Sequence, residues 1–206
     1  GDATDPSPRQ VQIVQENGAT VLFTEGPNHQ YFASDRVMAT LTRDGDTGQC
    51  TFIRRSGDVM VFNAAGRLLS FRDLRGNAVV VSYDGSNHVT ALSASGGRTL
   101  TLNWAGGHVS QVTDSAGRSV SYEYSTDGDL TSATGLDGAV TGYGYDSAHF
   151  MTTVTKPGGA VTTNVYDSSH RVISQNDPTG RVTTISYAGA LTTITAPGGS
   201  QTVDSY

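Results

Sequence analysis

The chain has 206 residues, 36% of them hydrophobic and 16% charged, with a formal net charge of −6. It is too apolar and too periodic for a disordered chain. It has no apolar run of roughly 18 residues, as a membrane-spanning helix needs, and its negative charge argues against a general nucleic-acid binder, which needs a basic face. Residues 1–10, with Pro6 and Pro8, are expected to be a linker or trimmed end. Val11–Val14, Asn17-Gly18 and Thr20–Phe23 predict a hairpin whose two turn residues both tolerate positive φ. Gly26-Pro27-Asn28 is a break. Val37–Thr42 is a strand candidate ending at Asp44-Gly-Asp-Thr-Gly48, and Thr51–Ile53 and Val59–Phe62 are two more strands meeting at Arg55-Ser-Gly57. Residues 11–56 therefore predict an irregular β lead-in, and 57–206 a repeat.

Seven glycines are each followed, seven residues later, by a tyrosine or tryptophan: Gly76/Tyr83, Gly97/Trp104, Gly117/Tyr124, Gly138/Tyr145, Gly159/Tyr166, Gly180/Tyr187 and Gly199/Tyr206. The glycines recur at intervals of 21, 20, 21, 21, 21 and 19 residues, the mark of a repeat architecture. Each unit reads as strand, turn, strand, turn. The first strand ends on the aromatic. The second carries an apolar residue at Val89, Val109, Leu130, Met151, Val172 or Leu191. Another follows three later at Leu92, Val112, Ala133, Val154 or Ile194, with Gln175 the exception. A spacing of three does not fit a flat strand, whose side chains alternate with period two, so a bulge or two packed faces are expected. Helix is excluded by the frequency of Gly and Thr. The fold class is all-β: stacked antiparallel hairpins in a curved continuous sheet, roughly 16 short strands. Open strand edges predict self-association. The chain is expected to be a piece of a longer protein.

Tyr83-Asp84, Tyr145-Asp146 and Tyr166-Asp167, each followed by a turn and a Val/Leu/Met strand, resemble the YD repeat of RHS proteins. Phe62-Asn-Ala-Ala-Gly-Arg-Leu68 is similar to that family's signature. Val112-Thr-Asp-Ser-Ala-Gly-Arg118 and Gln175-Asn-Asp-Pro-Thr-Gly-Arg181 resemble its link into the next repeat. The likeness covers about residues 57–206, with 31–62 resembling the irregular lead-in. It implies repeats that coil into a hollow β-shell, commonly enclosing a toxic C-terminal region of the same protein, as in polymorphic toxins, insecticidal toxin complexes and teneurin ectodomains. The expected partners are thus further repeats and a C-terminal cargo in the same polypeptide. The expected setting is a secreted or cell-surface bacterial protein whose export signal lies outside this segment. The chain has too few repeats to close a cage, and the family's aspartyl self-cleavage core is not evident. Asp177-Pro178-Thr179-Gly180 reads as an inter-repeat turn.

Other constellations favour structure over chemistry. His108, His149 and His170 each sit four residues after a repeat aromatic, where the signature has a turn glycine, and His is among the residues enriched in left-handed backbone. Neighbouring turns would be ~10 Å apart, too far for shared metal ligation. Asp44-Gly-Asp-Thr-Gly48 resembles the opening of a calcium loop, but Arg55 stands where the closing glutamate belongs. Arg54, Arg55, Arg67, Arg72 and Arg75 read as a solvated strand face, and Cys50 as a buried or half-buried strand residue. No nucleophile elbow, zinc-protease or phosphate-loop motif occurs, and Lys156 lies in a Pro-Gly turn. No enzymatic activity, cofactor or metal is expected. The alternative to a shell is a surface adhesin that binds glycan or protein through its aromatic face. Tyr122/Tyr124 and Tyr143/Tyr145, two apart and hence on one face, are its best platform.

Overall fold

A computed structural model describes residues 9–15, 17–27, 30–33 and 37–205. The chain is all-β, as its composition predicts, and forms two compact units, Gly1–Thr101 and Leu102–Tyr206. Among the described residues the first contains β1 (Gln10–Val14), β2 (Thr20–Glu25), β3 (Gln30–Ala33), β4 (Ala39–Arg43), β5 (Cys50–Arg54), β6 (Val59–Phe62), β7 (Leu68–Arg72), β8 (Ala78–Tyr83) and β9 (Val89–Ala94). The division falls within β10 (Thr99–Ala105). The second unit continues with β11 (His108–Asp114), β12 (Ser119–Tyr124), β13 (Leu130–Thr134), β14 (Val140–Tyr145) and β15 (Met151–Thr155). It ends with β16 (Val161–Tyr166), β17 (Val172–Asn176), β18 (Val182–Ala188), β19 (Leu191–Thr195) and β20 (Gln201–Ser205). That makes 20 strands, more than the sequence suggests. One strand missed is β3, four residues long and too short to show alternation. In each unit, strands pair antiparallel with their neighbours in the chain. Residues 1–8, Asn28 and Tyr206, on which the linker, a break and the last repeat aromatic were placed, lie outside the described residues.

One turn geometry joins most strands. A residue i donates its N–H to the carbonyl of i+4, and i+3 donates back to the carbonyl of i, as in Asp114 N to Arg118 O (2.9 Å) and Gly117 N to Asp114 O (3.0 Å). Residue i+3 then has positive φ, so it is usually glycine. His149 and His170 take that place with φ of 65° and 64°. His108 does not. Its turn is the two-residue Gly106-Gly107, and His108 begins β11. Trp104, one residue before the end of β10, leads into that shorter turn. The expectation that it closes a unit in the same way as Tyr83 or Tyr166 is therefore corrected. The first hairpin follows the common geometry. Gly18 carries the positive φ and Asn17 does not, which corrects the expectation that both would. When i is Asp or Asn, its Oδ1 accepts the N–H groups of i+2 and i+4. Asn63, Asp73, Asp84, Asp114, Asp146, Asp167 and Asp177 all do this. The abundant aspartates are therefore turn organisers.

A bulge accounts for the three-residue apolar spacing. Tyr124 pairs with Leu130 and Tyr122 with Ala133, so Thr131 is the extra residue and Leu130 and Ala133 share a face. The same shift precedes Phe62, Tyr83, Tyr145 and Tyr166. Tyr187 is different. Its two-residue turn at Gly189-Ala190 needs no bulge, so Tyr187 pairs with Thr192, and Leu191 faces the other way. Thr192 is accordingly 9% exposed and Leu191 46% exposed.

The fully buried core belongs to the lead-in. Ile13, Val21, Phe23, Tyr31, Leu41 and Phe52 form it, with Val11, Ala33, Ala39, Cys50, Met60 and Phe62 packed around them. These residues occupy alternate positions on β1–β6, as one face of a pleated sheet requires. Phe23 on β2 meets Phe52 on β5 edge to face, centroids 6.0 Å apart. Two strands lie between them in the ladder, so the lead-in curls onto itself.

Candidate functional site

The feature repeated along the second unit is a joint between hairpins. The ladder linking one hairpin to the next has three register pairs and then stops: Gln111–Thr113 with Ser119–Ser121, Ser132–Thr134 with Val140–Gly142, Thr153–Thr155 with Val161–Thr163, and Ser174–Asn176 with Val182–Thr184. Beyond each stop the next strand brings in its aromatic. The hydroxyl of Tyr124 donates to the carbonyl of Val109 (3.2 Å), Tyr166 to Met151 (2.8 Å) and Tyr187 to Val172 (2.9 Å). In the first unit Tyr83 does the same to Leu68 (2.8 Å). Each acceptor lies 15 residues before its tyrosine and outside the ladder. An unpaired carbonyl in a half-buried place costs free energy, and the phenol satisfies it. Trp104 shares the row with these tyrosines but not their chemistry, which corrects its expected equivalence to them. It is half-buried like Tyr83 and Tyr124, yet its only polar group is an indole N–H, so no phenolic bond can form at this unit.

The residue just before each acceptor covers the ring. His108 stacks on Tyr124 at 4.5 Å and 18°. Phe150 packs on Tyr166 at 5.2 Å, with His170 on its other contact at 4.6 Å. The Arg171 guanidinium lies 4.1 Å from the Tyr187 centroid while bonding Asp167. Imidazole, benzene and guanidinium thus fill one role at a fixed offset of 16 residues. That offset is visible in the sequence, but the variety of residue types hides it. Gln175, the polar exception, faces Asn164 and donates to its Oδ1 at 3.0 Å, so a hydrogen bond replaces an apolar pair.

Electrostatics follow the turns. Asp84, Asp114, Asp167 and Asp177 are held below the usual carboxylate range by hydrogen bonds donated within their own turns, and Asp73 and Asp44 likewise. The calcium-loop residue Asp44 is thereby engaged, accepting from Thr47 N and Thr47 Oγ1 at 2.7 Å each. His149 Nδ1 lies 2.8 Å from Asp129 Oδ2, joining two successive turns, and that hydrogen bond raises the imidazole pKa. Burial raises the Tyr145 phenol, with the Asp129 charge adding to it. Among the described residues no group of three His, Cys, Asp or Glu side chains is placed to hold a metal.

The sugar-platform tyrosines share one face, Tyr122 and Tyr124 opposite Ala133 and Leu130, Tyr143 and Tyr145 opposite Val154 and Met151. All four are half-buried. Tyr122 and Tyr124 line an open groove of about 670 Å³ with His108, Ser110, Glu123 and Thr131, which Tyr143 and Tyr145 do not reach. The Tyr124 ring face is already covered by His108. No helix is long and apolar enough to cross a membrane among the described residues.

The RHS Repeat family profile matches residues 124–161 and 166–201. No curated protein is matched by the sequence. Similar folds occur in the crystal structure of TcdB2-TccC3 without its hypervariable C-terminal region (TM-score 0.62, 14% identity, 91% of this chain and 12% of that one). They also occur in the crystal structure of TcdB2-TccC3-Cdc42 (0.54, 13%, 95% and 14%) and in the Photorhabdus luminescens Tc holotoxin pore with a mutated TccC3 (0.51, 13%, 95% and 14%). The chain thus spans about an eighth of the length of those chains. With a 21-residue grammar, an aromatic joint repeated along it and a family profile lying on two successive units, the chain is an RHS-repeat protein.

Proposed function

We propose that this chain is a wall segment of an RHS β-shell that encloses or presents a cargo polypeptide carried by the same protein. The observation that carries this is the joint. Successive hairpins are linked by the same short ladder, and at Tyr124, Tyr166 and Tyr187 by the same tyrosine-to-carbonyl bond, so the structure extends in chain order with little change in its chemistry. The wall acts by burial and exclusion and needs no bond-making residue. Its setting is extracellular, secreted or on a bacterial surface, where a passenger must be shielded until delivery. That one matched assembly is described by its hypervariable C-terminal region fits a wall with an exchangeable passenger. The outer strand β20, exposed along its whole length, would be covered by further repeats of the same polypeptide, and left open it favours self-association.

The test is limited proteolysis of the complete natural protein. Segments C-terminal to the repeats should resist protease until the repeats are denatured. A passenger digested as fast as its isolated form, or the lack of any passenger in the reading frame, would overturn the reading.

The groove beside Tyr122 and Tyr124 favours a second reading, an adhesin that binds sugar rings. A glycan array compared between the chain and its Tyr122→Ala and Tyr143→Ala variants decides it. Binding lost only in Tyr122→Ala supports the groove, and binding unchanged in both removes it.

A further inference from the structure

Arginines near the turns of the second unit are matched with acids: Arg118 with Asp114, Arg171 with Asp167 and Arg181 with Asp177. Arg43, at the end of β4, is not. It is half-buried, and its described partners are the Gly48 carbonyl at 3.5 Å and the Tyr31 hydroxyl. Taking a guanidinium out of water is costly unless an anion or enough acceptors compensate it. Arg43 lines a cavity of about 350 Å³ together with Arg9, Gln10, Tyr31, Cys50 and Asn63. No carboxylate lines it among the described residues, although the whole chain is acidic. Glu25, opposite Tyr31 in the β2–β3 register, pushes up the Tyr31 pKa, after burial itself, but does not line the cavity.

The walls are built for close approach. Gly48 sits at φ 68°, and a Cβ there would lie 3.0 Å from Ala64 Cβ and 3.3 Å from Arg43 Nη2. The Asn63 side-chain oxygen is spent on its own turn, which leaves its amide as a donor. Two guanidinium forks, a phenol and an amide thus line one small space. This donor-rich set suits a carboxylate or phosphate group, because the planar fork of arginine matches two oxygens at once.

We propose that this lead-in cavity is a binding site for a compact anion of the carboxylate or phosphate type, held by Arg43 and Arg9 beside Tyr31. The only cysteine of the chain, Cys50, lines the same cavity and gives it a specific reporter. The experiment follows alkylation of Cys50 by the neutral reagent iodoacetamide. Sodium phosphate and sodium succinate form two arms, each against sodium chloride of equal ionic strength. At twice the dissociation constant, occupancy should slow alkylation about threefold. The arm that protects at the lower concentration identifies phosphate or carboxylate as the source. Arg43→Gln should abolish the protection and Arg43→Lys should weaken it. If Arg43→Gln does not fold, as judged by circular dichroism, Arg9→Gln on the exposed rim takes its place and should lower the protection. Absence of protection by either anion in the natural chain, or equal protection in the arginine variant used, overturns the site.

Discussion

The lead-in strands β1–β6 and the repeats of β11–β20 obey one ladder rule yet store their stability differently. In the lead-in, Phe23, Phe52 and Leu41 are 0%, 1% and 2% exposed, because the sheet curls and one strand covers another across the ladder. In the second unit Thr192 is the one buried residue among those described, and many of its apolar side chains are half-buried. There rings are covered by a lateral neighbour and phenols by a carbonyl. The lead-in is held by non-local packing, which fails as a whole. The repeats are held by many small, similar joints, which add nearly independently.

The strongest way to break the comparison is to excise pieces from each region. Removing residues 146–166 takes out β15 and β16 and joins Tyr145 to Asp167, so the Tyr-Asp grammar is kept. The shortened chain should stay folded with a modest loss in denaturant midpoint. Removing the β5–β6 hairpin takes Phe52 and should unfold the lead-in, seen as lost amide protection throughout β1–β4. Equal damage from both cuts would end the distinction.

Single substitutions come next. Phe23→Ala should cost about 3–5 kcal/mol in denaturant unfolding, as a large buried aromatic does. Tyr166→Phe removes only the donor to the Met151 carbonyl and should cost about 0.5–1.5 kcal/mol. A Tyr166→Phe effect as large as that of Phe23→Ala would mean the joints are cooperative rather than independent.

The smallest effects are electrostatic and resolve in pH. The turn aspartates have depressed pKa values in the folded chain, so their stabilisation is present above the unfolded value of about 3.9 and is lost as pH falls through the lower folded values. Asp114→Asn should flatten that acid loss. His149 moves the opposite way. Its folded pKa is raised by Asp129, so the pair stabilises fully below the unfolded value of about 6.5 and fades as pH rises through the folded value. His149→Asn should therefore lower thermal stability at about pH 5.5 and do little at about pH 8.5. A difference that persists at the higher pH would show that the turn, not the ion pair, is what His149 supports.

Local chemistry was legible in the sequence because it is written within a few residues. Positive φ at Gly117 or His149 and the acceptor role of Asp114 need only their own turn, and the three-residue spacing of Leu130 and Ala133 announced its bulge. The same logic failed at Leu191, since a shorter turn at Gly189 shifts the partner of Tyr187 by one residue and reverses the face. It failed at Trp104 as well, where an even glycine-to-aromatic spacing conceals both a shorter turn and a different donor group. The curl that seats Phe23 on Phe52 was decided only in three dimensions, because it depends on twist accumulated over several strands rather than on any one pair. The same holds for the covering of Tyr124, Tyr166 and Tyr187 from 16 residues away, and for the meeting of Arg9, Arg43 and Cys50 in one cavity. The period and its turns belong to the sequence. Which side chains face each other across non-neighbouring strands belongs to the tertiary structure, where register and twist act together.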